Sequence, residues 1–126
     1  MARVVAPHEA KSLGLPGRVS NEIVSGAHGG SLSCTLRLVE IPVPQPGEAG
    51  RGRHCHDGHE ECMYVLSGEG VTRSGDSQHP LKAGDTIIVP PGEMHVTRNT
   101  GQVPLVMLCF FPRAAIDMRL EGEEKR

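Results

Sequence analysis

Glycine and proline interrupt this sequence so often that no long regular segment survives between them. They number 16 and 10 in 126 residues, well above the usual ~12 %. Both damage helix interiors, proline by removing a donor and clashing with the preceding turn, glycine by its entropy. Short strands joined by tight turns tolerate such punctuation, so the chain reads as all-β.

The strand candidates follow from alternation and β-branching. They are Glu22–Ser25, Ser33–Ile41, Gly52–His56, Glu61–Leu66, Gly70–Arg73, Gln78–Leu81, Thr86–Val89, Met94–Arg98 and Leu105–Phe111. Turn signals separate them: Asp57-Gly58, Ser67-Gly68, Ser74-Gly75-Asp76, Ala83-Gly84-Asp85 and Pro90-Pro91-Gly92. Pro42, Pro44, Pro46 and Gly47 forbid a continuing ladder after Ile41. Turns every 8–12 residues are the pattern of a sandwich or barrel. Residues 1–30 read as an N-terminal arm with strand-like segments, 31–112 as a barrel, and 113–126 as a C-terminal helix or tail. Ile116 and Leu120 stand at helical i,i+4 spacing within Arg113–Leu120.

Composition excludes several function classes. The net charge of −2 offers no attraction to nucleic acid or an anionic membrane. With no Trp, one Tyr and two Phe, base-stacking surfaces are not expected. No apolar run reaches the ~20 residues needed to span a bilayer. The start lacks signal-peptide character, and Cys34, Cys55, Cys62 and Cys109 form no C-x-x-C pair. Free thiols in the cytoplasm are therefore expected.

Histidine carries the chemistry. His54 and His56 are one residue apart, which on a strand sets both imidazoles on one face. After the Asp57-Gly58 turn, Glu60 and Glu61 open the next strand, and a returning antiparallel strand brings one of these carboxylates beside the imidazoles. His95 opens a later strand behind the rigid Pro-Pro-Gly turn. Three imidazoles and a carboxylate suit a borderline divalent metal.

His54-x-His56-x4-Glu61-x6-Gly68 resembles the first cupin motif. Its leading glycine is off register, with Glu48 at that position between Gly47 and Gly50. Gly84-x5-Pro90-x-Gly92-x2-His95-x3-Asn99 matches the second motif at every position. The resemblance implies a small single-domain cupin, an antiparallel jelly-roll barrel with an N-terminal strand arm and a short C-terminal tail or helix. It implies one divalent transition metal ion per chain, Fe or Mn ahead of Zn, Ni or Cu, held by His54, His56, Glu61 and His95. Asn99 is expected as a turn or backbone hydrogen-bonding residue. The resemblance to small cupins also implies a homodimer paired back to back, with dimerisation strands of the 1–30 arm joining the neighbour's sheet.

Parity along the strands gives further expectations. Met63 and Val65 share the face of Glu61 and are expected to line the cavity; Cys109, on a strand whose register the sequence does not fix, is expected as a buried structural thiol or a third lining residue. Cys55, Cys62 and Tyr64 should face outward, and Arg53 should be solvated. His59 is expected as an exposed turn residue. An aliphatic lining would suit an apolar or mixed substrate, aromatic or keto-enol.

The resemblance admits three functions. The first is dioxygenase-type oxidation of a small molecule, as in many small cupins. The second is non-redox Lewis-acid chemistry by an isomerase, cyclase or decarboxylase. This needs a proton shuttle, for which the sequence offers no inward base beyond the ligands. The third is a small-ligand-binding barrel without catalysis.

Overall fold

The computed structural model describes residues 1–48 and 50–125. Among the described residues, eleven strands form two antiparallel sheets. The strands are β1 Lys11–Leu13, β2 Val19–Val24, β3 Thr35–Ile41, β4 His54–Cys55, β5 Glu61–Ser67, β6 Glu69–Ser74, β7 Ser77–Lys82, β8 Thr86–Val89, β9 His95–Asn99, β10 Leu105–Phe111 and β11 Arg119–Leu120. The larger sheet runs β1-β2-β3-β10-β5-β8 and the smaller β11-β4-β9-β6-β7. This is the all-β jelly-roll expected.

The two sheets close on an aliphatic core because their strands alternate. Val39 and Ile41 of β3, Met63 and Val65 of β5, and Leu105, Met107, Cys109 and Phe111 of β10 are all buried. In β10 every second side chain is at most 3 % exposed. Register locks the faces together: Cys109 pairs with Arg37 on one side and Met63 on the other. The alternation of β3 has an unusual sense. Arg37 points inward and lines the central cavity, whereas Leu36 and Leu38 lie on the outer face.

Gly68 turns β5 into β6 at φ +83°. A Cβ there would stand 2.5 Å from the Pro104 carbonyl oxygen, so only glycine fits. Asn99 is the backbone staple expected. Its amide donates to the carbonyls of Ile41 (2.9 Å) and Val103 (2.8 Å) and its oxygen accepts from Gly101 N–H (2.8 Å).

Both ends of the chain pair with the barrel. Lys11–Leu13 and Val19–Val24 pair with each other, and β2 continues onto β3 of the same chain. No helix forms over Arg113–Leu120. Its backbone groups bond to distant partners instead: Ala114 O accepts from Gly26 N–H, and Asp117 O accepts from His56. Arg119 and Leu120 then pair with β4. Helical i→i−4 bonds would need those same groups.

Candidate metal centre

Four short pieces of chain deliver the site. β4 carries His54, the following loop His56, the first residue of β5 is Glu61 and the first of β9 is His95. His54 and His95 are direct partners across β4 and β9. The Pro-Pro-Gly turn before β9 is tied to the ligand loop, since Gly92 N–H donates to His56 O at 2.9 Å. All four side chains are at most 5 % exposed. One donor atom from each lies within 4.8 Å of the others.

The hydrogen bonding around these imidazoles asks for a cation. His56 Nδ1–H donates to Asp117 O at 2.5 Å, and His95 Nδ1–H donates to Glu93 O at 3.0 Å. Neutral rings with those protons present bare Nε2 lone pairs. Both aim at the Glu61 carboxylate, 3.0 Å from His95 and 3.4 Å from His56. Lone pair against carboxylate is repulsive unless a positive charge stands between them. His54 Nδ1 and His56 Nε2 are, in addition, buried without a hydrogen-bond partner. The donor set, its outer hydrogen bonds and its burial all fit a divalent transition ion.

Electrostatics point the same way. Burial, then Arg51 and His95, lower the His54 pKa to about 3, so the ring is neutral and available as a donor. Burial pushes Glu61 up, but charge-stabilising contacts on its His56 and His95 side outweigh it and hold the carboxylate below its ordinary value, the role a bound cation would take over.

Around the donors is a cavity with about 30 Å³ of open space, room for roughly two water molecules at ~10–15 Å³ each. Met63 and Cys109 line it. Val65 does not. It is fully buried in the core, two strand steps of ~7 Å beyond Glu61. Nor is the lining aliphatic, because Arg18, Arg37 and Arg51 all face the cavity. Arg37 is neutralised by Glu22 at 3.1 Å and lies 5.3 Å over the Phe111 ring. Arg18 and Arg51 make no ion pair among the described residues. Arg18 donates to Thr97 O at 3.3 Å and leaves its Nε buried without a partner. Burial and the neighbouring Arg51 lower the Arg18 pKa to about 10, which still leaves it cationic at neutral pH. A small, cationic cavity replaces the apolar pocket that parity suggested.

Three surface expectations are corrected. His59 is 5 % exposed, stacked on His56 with ring centroids 5.0 Å apart and set edge-on to Phe111. With Asp117 it forms a second cluster behind His56, its Nε2 3.7 Å from the Asp117 carboxylate. Cys55 does face away from the donors, yet it is fully buried, beside Asp57 and paired with Arg119 of β11. Arg53 is outside the cavity, but it is pinned to Gly75 O, Met94 O and Glu121 rather than solvated. Arg18, Arg51 and Asp117 were missed, and the burial of His59 misread, because each sits outside regular strand alternation.

A family model described as the cupin domain matches residues 43–111, more than half of the chain. The chain belongs to the cupin family. Among curated proteins this cupin is 42 % identical to the oxalate-binding protein of Thermotoga maritima over 57 residues, 45 % of this chain and 47 % of that protein. It is 36 % identical to protein SchB of Streptomyces halstedii over 69 residues, 55 % of this chain and 49 % of that one. The matches therefore span about half the length of these relatives. Among solved structures, oxalate decarboxylase of Lactobacillus farciminis superposes with a TM-score of 0.75 at 22 % identity. That superposition covers 90 % of this chain and 34 % of the decarboxylase, a likeness of fold. No helix among the described residues is long and apolar enough to cross a membrane.

Proposed function

We propose that this cupin is an enzyme that oxidises a small carboxylate-bearing molecule with dioxygen, using one transition metal ion, Fe or Mn ahead of Zn, Ni or Cu. The observation that carries the reading is the pairing of a three-histidine, one-glutamate donor set with two uncompensated guanidiniums, Arg18 and Arg51, in one small cavity. A divalent transition ion held by His54, His56, Glu61 and His95 supplies Lewis acidity, and Fe or Mn adds a redox couple suited to dioxygen. With Glu61 so engaged, the cavity carries excess positive charge that an anion balances. Arg18 and Arg51 then orient the carboxylate, and a guanidinium suits that geometry better than a lysine. The 42 % identical relative named as an oxalate-binding protein supports a carboxylate ligand.

Oxidation ranks above isomerisation, cyclisation or decarboxylation because those reactions need a proton shuttle. Among the described residues lining the inner cavity, the ionisable groups besides the four donors are three arginines and Cys109. Burial, then Glu61, push the Cys109 thiol well above its ordinary value, so it stays protonated and is no base. Binding without turnover is the second reading, favoured by the name of the same relative.

The test is metal analysis of protein purified without a chelating column, followed by oxygen-uptake assays with small carboxylic acids. Near-stoichiometric Fe or Mn with oxygen consumption is expected. Carbon dioxide release without oxygen uptake would replace oxidation by decarboxylation. Anion binding with no turnover would leave a binding barrel. Failure to take up any metal on titration would remove both enzyme readings.

Two further parts of the reading concern its setting. The outer face of the larger sheet exposes Tyr64, Leu66, Ile88 and Phe110, each at least 41 % accessible, on the neighbouring strands β5, β8 and β10. A second copy of this chain, packed back to back, is the occupant we assign to that face. The strands of residues 1–30 extend the same sheet and leave β1 as an open edge. All four cysteines are free thiols, which supports a reducing compartment, the cytoplasm.

A further inference from the structure

The inner cavity is too small for any sizeable substrate, yet it is not the whole of the accessible space. A second, larger cavity of about 620 Å³ lies against it. Arg18, Arg51 and Thr97 line both, so the two guanidiniums stand at the throat between them. The outer space is walled by Ile41, Pro42 and Pro44 and by Val96, with Glu48 and Arg98 as its charged groups besides Arg18 and Arg51. Its size falls within the range of cavities that hold whole organic ligands, whereas the inner space holds an ion and little more.

We propose that the substrate of this site is a carboxylic acid with an apolar body, its carboxylate gripped by Arg18 and Arg51 at the throat and its body lying in the outer cavity. This rests on the carboxylate reading above and adds the substrate class. The direction follows from volume. The metal-facing side has space for about two waters, so everything beyond the carboxylate and its neighbouring atom extends outward. The choice of anion follows from charge. Two half-buried cations without an ion-pair partner among the described residues favour a counter-charge, and Arg18 Nε is a buried donor with nothing to donate to. The choice of body follows from the walls, where two prolines, Ile41 and Val96 offer apolar contact. A dicarboxylate as small as oxalate would leave those walls untouched.

The experiment is calorimetric binding to the manganese-loaded protein, with metal content checked in every sample. The probes are oxalate, acetate, butanoate, hexanoate and octanoate, with hexanamide as the uncharged control. Affinity is expected to rise two- to fourfold per methylene from acetate to hexanoate, as apolar burial dictates, and hexanamide is expected not to bind. Arg18→Gln and Arg51→Gln should each weaken hexanoate at least tenfold without loss of manganese. Gly50→Trp is the second probe. A Cβ at Gly50 meets nothing within 4 Å, so a side chain can be introduced there at the wall of the outer cavity. It should abolish the gain with chain length and leave oxalate within twofold.

Oxalate binding tightest, with affinity flat or falling along the series, would overturn the apolar body and leave the carboxylate reading standing. No binding of any acid to manganese-loaded protein would overturn both. Protein that takes up no manganese would instead refute the metal centre itself.

Discussion

The buried neutral His54 makes the metal-free protein acid-sensitive well above the range where carboxylates titrate. An unfolded histidine takes up a proton near its ordinary value of 6.5, while the folded ring refuses one until about pH 3. Between those values the unfolded state binds one proton more than the native state. Stability therefore falls as pH falls through this window, by about 1.4 kcal/mol per pH unit for one proton. From pH 6.5 to 4.5 the loss is roughly 2–3 kcal/mol, a large share of the ~5–15 kcal/mol that holds a typical domain together. Below its ordinary value of 4.5, Glu61 adds a loss of the same sign, because its folded carboxylate also resists protonation.

The assay is urea unfolding of chelator-treated protein across pH 7.5 to 4.5, read by circular dichroism. At a urea slope of about 2 kcal/mol per molar, the midpoint should move down by roughly 1 M over the two units below pH 6.5. His54→Asn removes the titrating ring and keeps a polar group of moderate size. Its midpoint should be nearly flat over the same range. A flat wild-type profile, or an equal slope in His54→Asn, would refute the claim that burial and the Arg51 charge keep this ring neutral.

Other perturbations separate the site from the scaffold. Glu61→Gln should lower affinity for Mn at least a hundredfold in a competition titration, because it removes the one anionic donor. Gly68→Ala should cost at least 2 kcal/mol in urea unfolding, since its Cβ would press on Pro104 O and Leu105 Cα at an unfavourable φ. Ile88→Lys combined with Phe110→Glu should convert a sedimenting dimer to monomer with metal content unchanged, since both side chains lie on the outer face away from the donors.

The strand layout was readable from the sequence because β5, β8 and β10 are short runs rich in apolar and β-forming residues. Their bounds follow from Gly, Pro and Asp punctuation at each end. Parity placed Met63 on the face of Glu61, whereas Cys109 lies in Leu105–Phe111, apolar throughout, whose register only the pairing with Met63 fixes. Parity failed one step further at Val65, where facing inward no longer means facing the donors. The 113–120 segment failed differently. An i,i+4 apolar pair predicts a helix only if the backbone is free to make one, and here Gly26 and His56 take its carbonyls.

The harder loss is the charge of the cavity. Arg18 precedes β2 and Arg51 precedes β4, both in irregular chain where alternation has no meaning. They come from segments 33 positions apart and meet only because the sheets close. Arg37 shows how local pattern can mislead even inside a strand. Flanked by leucines, it reads as the solvent side of β3, yet the leucines are outside and the arginine is within, matched by Glu22 across β2. That inversion is tolerable only because the cavity is polar and the outer face has apolar neighbours to join. A cationic interior and an apolar exterior on one sheet are therefore two aspects of one arrangement. Measuring whether Ile88→Lys with Phe110→Glu leaves acid binding intact would test their independence. Retained binding is expected, because Arg37 is held by Glu22 and Phe111 from inside the barrel and not by anything on the outer face.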